Sequence, residues 1–152
     1  MIAPAYTITV PAARNGASAK RNRPVVERIT DANQRALSIG LRHPDKFNRV
    51  LSMSGMTDIR GFLGGYHNET VYFQNPVDFI PNEHDGWRLD QLRRQDIILA
   101  VGNGDRLLHQ NRDLSGKLWS KGIGNALREW DGFAHDWDVW HKMVNMYIGG
   151  HD

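Results

Sequence analysis

Residues 130–140 read WDGFAHDWDVW, tryptophans and aspartates gathered around a single histidine, His135. An imidazole titrates close to neutral pH, so it can take a proton as a general base, ligate a metal or simply hydrogen-bond locally. Work as a base requires a partner on the second ring nitrogen, which fixes the tautomer and stabilises the imidazolium once it forms. The candidate partner is Asp105, which closes the run DIILAVGNGD (96–105); Asp113 and Asp131 are the alternatives. As a metal site the stretch is poor. His135, Asp136, Asp138 and His141 supply oxygen and nitrogen donors, but on a helix only Asp138 and His141 are neighbours, three apart, so neither a metal nor a cofactor is expected. His67, His84, His109, His141 and His151 read as surface or local structural residues.

The elements that must hold these residues follow from pattern. Residues 97–102 are apolar without alternation, as expected of a strand buried on both faces of a parallel sheet. FNRVLSMSG (47–55) reads as another strand closed by glycine, and NALREW (125–130) as a third. Ala32 to Arg42 reads as a helix with Ala36, Leu37, Ile39 and Leu41 as its apolar positions, stopped by His43-Pro44 because a residue before proline avoids helical backbone. Residues 109–121 suit a helix with Leu114, Leu118 and Trp119 inward, ended by Gly122, and Asp136 to Ile148 a last helix. There Trp137, Trp140, Val144 and Tyr147 recur at helical spacing as a core stripe, with Trp137 also walling the histidine. Residues 56–95, rich in Gly, Asn, Asp and aromatics, form a long excursion to which no catalysis is assigned; VYFQNPVDFIPNEHD suggests short helical turns within it. The order predicts an open α/β sheet of about three parallel strands with flanking helices, and ligands bind such sheets at the carboxyl ends of the strands. Asp105 and His135 both follow strands, at that edge.

With 152 residues and a hydrophobic fraction of 40%, the chain can bury a real core. It has no cysteine, which excludes disulfides and thiolate metal sites and suits a reducing, cytoplasmic location. No secretory leader is read at the N-terminus, and no apolar run nears the roughly 20 residues of a membrane span. The net charge of +2 is unevenly spread. Within the first thirty residues Arg14, Lys20, Arg21, Arg23 and Arg28 face only Glu27; they lie in a basic, poorly patterned segment (1–35), where YTITV (6–10), boxed by Pro4 and Pro11, is at best a short edge strand. After Tyr6 this arm has no aromatic residue on which a base could stack, so it is read as solvated rather than as a nucleic-acid site.

ALSIGLRHPDKFNRVLSMSG, YFQNPVDFIP, ILAVGNGDRLLHQNRDLSGKLWSKGI and LREWDGFAHDWDVWHKMVNMYI together resemble the carboxyl-terminal half of the esterase family of α/β hydrolases that includes esterase D, over about residues 36–150. The resemblance implies a partial α/β-hydrolase fold (36–152, with the excursion as an insertion), His135 as catalytic base, Asp105 as its orienting acid, and a small ester as substrate. It also implies a serine on a G-x-S-x-G turn a dozen or more residues before His43. No serine occurs in residues 22–35. Ser18, in NGASAK, has Lys20 where the sharp turn needs glycine; Ser52 and Ser54 sit at an ordinary strand end. Reading the codons of Pro24 to Thr30 one base out can spell Ser-x-Gly-x-Tyr-His, so the leading thirty-odd residues are expected to come from a frameshifted or misplaced start. The expectation is a hydrolase portion with acid and base but little or no activity as written. The alternative is a non-catalytic interaction protein whose half-sheet pairs with a partner or a second copy through an exposed edge. No partnership with nucleic acid or membrane is expected.

Overall fold

The computed structural model describes residues 7–9 and 32–148. Within them, four strands form one parallel sheet in the order β1-β2-β3-β4: β1 (Thr7–Thr9), β2 (Arg49–Met53), β3 (Asp96–Gly102) and β4 (Ala126–Trp130). The three longer strands are those expected, and the stretch around YTITV supplies the short edge strand. The rest of the basic leader up to residue 31, with Ser18, lies outside the described residues.

Helix α1 (Ala32–Arg42) ends where Pro44 follows. Helices α2 (Glu69–Gln74), α3 (Pro76–Phe79) and α4 (Gly86–Arg94) occupy the excursion, α5 (Leu108–Ser120) links β3 to β4, and α6 (Trp137–Tyr147) follows β4. Their starts are chemical. The side chains of Asn68, Asp85 and Asp136 accept from the backbone N–H groups of Val71, Arg88 and Val139, satisfying donors that a first helical turn leaves orphaned.

Because β3 buries all its residues but Asp96, its side chains feed two cores at once. Ile97 and Leu99 pack with Val50 of β2 and with Leu37, Leu41, Leu92, Leu114 and Leu118 of α1, α4 and α5. Ile98 and Ala100 pack on the opposite face with Leu51, Met53, Trp140 and Met143. Helices thus cover both faces, as a parallel sheet requires.

One apolar position of α1 and one residue expected inward on α5 prove to be exposed. Ile39 is 44% exposed, because the buried side of α1 also takes Gln34, Ser38 and Gly40, turning the helix so that position 39 faces out. Trp119 is 59% exposed: Leu114, Ser115 and Leu118 fill the inner face of α5. The final stripe holds, with Trp140 and Met143 buried and Trp137, Val144 and Tyr147 half-buried against them. Among the described residues no helix is long and apolar enough to cross a membrane.

Candidate active site

β3 and β4 are neighbours in register, Gly102 opposite Trp130, so the loops that leave their carboxyl ends start side by side. Backbone bonds then zip the loops together. Asn103 N–H donates to Trp130 O at 2.7 Å and Gly104 N–H to Gly132 O at 2.8 Å, while the Asn103 side chain accepts from Gly132 N–H and donates to Asp131. Glycine at 102 is required here, since any Cβ would overlap the carbonyl oxygens of Gly132 and Phe133. The second loop turns through left-handed backbone at Gly132 and at Ala134, whose φ is 47°. The Ser54 hydroxyl, buried at the end of β2, donates to Ala134 O at 3.4 Å.

The product of this bracing is an acid–imidazole pair. His135 Nδ1 lies 2.8 Å from Asp105 Oδ2. The other carboxylate oxygen, Oδ1, accepts from Leu107 N–H at 2.9 Å, so both oxygens are engaged and the Asp105 side chain is only 2% exposed. Facing a carboxylate, Nδ1 carries the proton, which leaves Nε2 as the free lone pair. The His135 side chain stays 27% exposed. Asp136, next in the chain, caps α6 by accepting from Val139 N–H.

Of the alternative acids, Asp113 pairs with Lys117 on α5, and Asp131 takes the Asn103 amide. Neither reaches His135. The rings against the imidazole are Phe133, stacked at 5.3 Å with planes 18° apart, and Trp140, tilted at the same distance. The expectation that Trp137 walls the histidine is therefore corrected: Trp137 packs edge-on against Trp140 and beside His141, one helical turn along.

A cleft of about 450 Å³ opens over the pair, lined by Asp105, His135, Phe133, Arg106, Leu107, Gln110, Met56 and Phe62. That volume suits a small organic molecule. Sequence reading missed the contribution of Met56 and Phe62, which come from the excursion; the only local hint is an apolar pair flanked by glycines in RGFLGG. The excursion is tied down by polar contacts to α5: Thr57 donates to Gln110 O at 2.9 Å, Asp58 N–H to Gln110 Oε1 at 3.3 Å, and Asn111 Nδ2 to Gly55 O at 3.0 Å. Neither Ser52 nor Ser54 bonds to His135: the Ser52 hydroxyl is buried without a partner and that of Ser54 is taken by Ala134.

No protein-family model matches the chain. It is similar to an acetyl esterase of Caldicellulosiruptor saccharolyticus, 26% identical over 141 residues that make up 82% of this chain and 53% of that protein. Among solved structures it superposes on a ferulic acid esterase (TM-score 0.64, 24% identity) over 77% of this chain and 46% of that one. An S-formylglutathione hydrolase of Staphylococcus aureus gives a TM-score of 0.52 at 16% identity, again over 77% and 46% of the two chains. A fluorophosphonate-binding serine hydrolase of the same organism gives 0.51 at 17%, over 77% and 49%. The chain spans about half the length of each of these relatives.

Proposed function

Taking as premise that this chain carries part of an esterase-type α/β-hydrolase fold, we propose that His135 is the general base of a carboxylic-ester hydrolase site and Asp105 the acid that orients it. The observation that carries this reading is the 2.8 Å contact between His135 Nδ1 and a nearly inaccessible Asp105 carboxylate, at the strand edge where such folds bind ligands. In a complete site, Nε2 would accept the proton of a serine hydroxyl as it attacks the ester carbonyl and return it to the leaving alcohol. Backbone N–H groups would hold the oxyanion. Buried Asp105 would stabilise the transient imidazolium without itself taking the proton.

The nucleophile is the missing member. No G-x-S-x-G occurs in this sequence, and no described serine bonds to His135. In one dissected serine protease, loss of the serine alone costs on the order of a millionfold in kcat, so this chain by itself hydrolyses esters weakly or not at all. The second reading, an interaction protein pairing a sheet edge with a partner, is favoured by β1, which has no further strand neighbour among the described residues.

p-Nitrophenyl acetate tests the first reading. Purified chain should give turnover near background, insensitive to a serine-directed phosphonate and reduced further by His135→Ala. Fast turnover abolished by the phosphonate would show a nucleophile that this reading lacks. In parallel, proton NMR should show a strongly downfield His135 Nδ1 proton that disappears in Asp105→Asn; its absence from the parent protein would end the acid–base assignment.

A further inference from the structure

The residue after the buried acid is an arginine, and the chemistry around it is lopsided. Arg106 is exposed and lines the cleft, yet it makes no hydrogen bond or ion pair with the described residues. The acids that could neutralise it are committed elsewhere. Asp105 spends both oxygens on His135 and Leu107, Asp58 and Asp78 hold Arg60, Asp113 holds Lys117, and Glu129 holds Arg112. Solvated arginines are common on protein surfaces. What distinguishes this one is that it shares its cleft with Phe62 and Phe133, each more than half exposed, large apolar side chains that water does not favour.

A lone guanidinium beside exposed aromatic rings, at the mouth of a 450 Å³ cleft floored by an acid–imidazole pair, is complementary to one kind of molecule. The geometry points to Arg106 as a specificity-determining residue that holds a carboxylate at the far end of the substrate, so the preferred esters are those of short aromatic or apolar acids bearing a second, free carboxyl group. This rests on the esterase reading of the cleft and names its substrate class. Arginine suits the task because its planar fork matches a carboxylate bidentately, and the apolar walls strengthen the pairing by thinning the water around it. The spacer between the two carboxyl groups would lie on Phe62 and Phe133, its ester end towards His135 Nε2.

Binding tests this without a nucleophile. Fluorine NMR titrations of 4-fluorobenzoate and its neutral isostere 4-fluorobenzamide, at 0.15 M ionic strength, read charge preference directly. His135 ring signals report whether the ligand sits in this cleft. The expected result is at least tenfold tighter binding of the benzoate, with shifts at His135. Arg106→Gln should bring the two ligands to parity, and Arg106→Lys should keep part of the preference. Arg42→Gln, which alters a second cleft lined by Arg42 and His43, should change nothing. Equal binding by the parent protein, no binding, or a preference that survives Arg106→Gln overturns the inference. The Nδ1 proton of His135, followed in the same samples, separates the two failures. Its presence with no carboxylate preference sinks only the substrate class; its absence sinks the acid–histidine reading whatever the ligands do.

Discussion

At the scale of single residues, the pairing of Asp105 with His135 depends on an atom that is not there. Gly102 lets the carbonyls of the 131–134 loop lie directly on the end of β3, and this contact brings the histidine to the acid. A Gly102→Ala substitution forces that loop away. The expected cost is roughly 1–3 kcal/mol from overpacking, together with loss of the downfield Nδ1 proton as the loop lifts. Urea denaturation and proton NMR on the same sample read both effects, and an unchanged Nδ1 signal in Gly102→Ala would show that the pair does not need the close approach. That an acid and a histidine stand at one edge was legible in the sequence, because in a parallel sheet consecutive βα loops must emerge on the same side. Which rings flank the imidazole was not legible. Phe133 and Trp140 reach it through a left-handed kink at Ala134, a backbone choice that an alanine does not advertise.

Among the elements, the excursion is the one that sequence pattern describes least, and a small polar network orders it. Asn75, buried, accepts from Ile59 N–H and donates to Asp58 and Asp78, while Arg60 bridges the same two carboxylates. Burial pushes the Asp58 carboxyl up, but hydrogen bonds from the Arg60 side chain and backbone and from Asn75, with the Arg60 charge, outweigh it and hold the group below its ordinary value of 3.8. The folded protein therefore binds this proton more weakly than the unfolded chain does. The stabilisation is complete above about pH 4 and is lost as pH falls through the lowered folded value. Acid titration followed by hydrogen exchange should show residues 55–62 loosening as the pH drops below 4, and Asp58→Asn should remove that pH dependence. Because Met56 and Phe62 ride on this segment, the cleft would lose a wall with it. Helix termini, by contrast, were readable one by one, since a cap or a following proline acts within a few residues. The orientation of α1 and α5 was not: exposed Ile39 and Trp119 show that a helix turns to suit the whole surface beneath it.

Taken whole, the molecule presents a sheet with two unlike margins. Beyond β4 the border is guarded by charge, with Glu129 held by Arg112 in two bonds of 2.6 and 2.8 Å and Arg128 exposed beside it. On the other side β1 pairs with β2 and has no further strand neighbour among the described residues. A strand edge without a partner is a template for another strand. Sedimentation velocity across 1–100 µM should accordingly find dimers or larger species whose share grows with concentration, on the micromolar scale of weak association. A single monomeric boundary throughout that range would show that the edge is closed by the chain's own residues.

The sequence by itself determined which residue types could do chemistry, the alternation of strand and helix, and the edge of the sheet to which Asp105 and His135 belong. These are consequences of local rules: apolar runs, caps, glycine and proline breaks, and the fixed direction of parallel crossovers. The tertiary structure alone decided that Asp105 rather than Asp113 or Asp131 meets the imidazole, that the excursion supplies one wall of the cleft, and that Arg106 stands there unneutralised. The reason is that hydrogen bonds and packing act over a few ångströms between residues far apart in the chain, as Ser54 and Ala134 are at eighty positions, and no pattern along the chain encodes a distance across it.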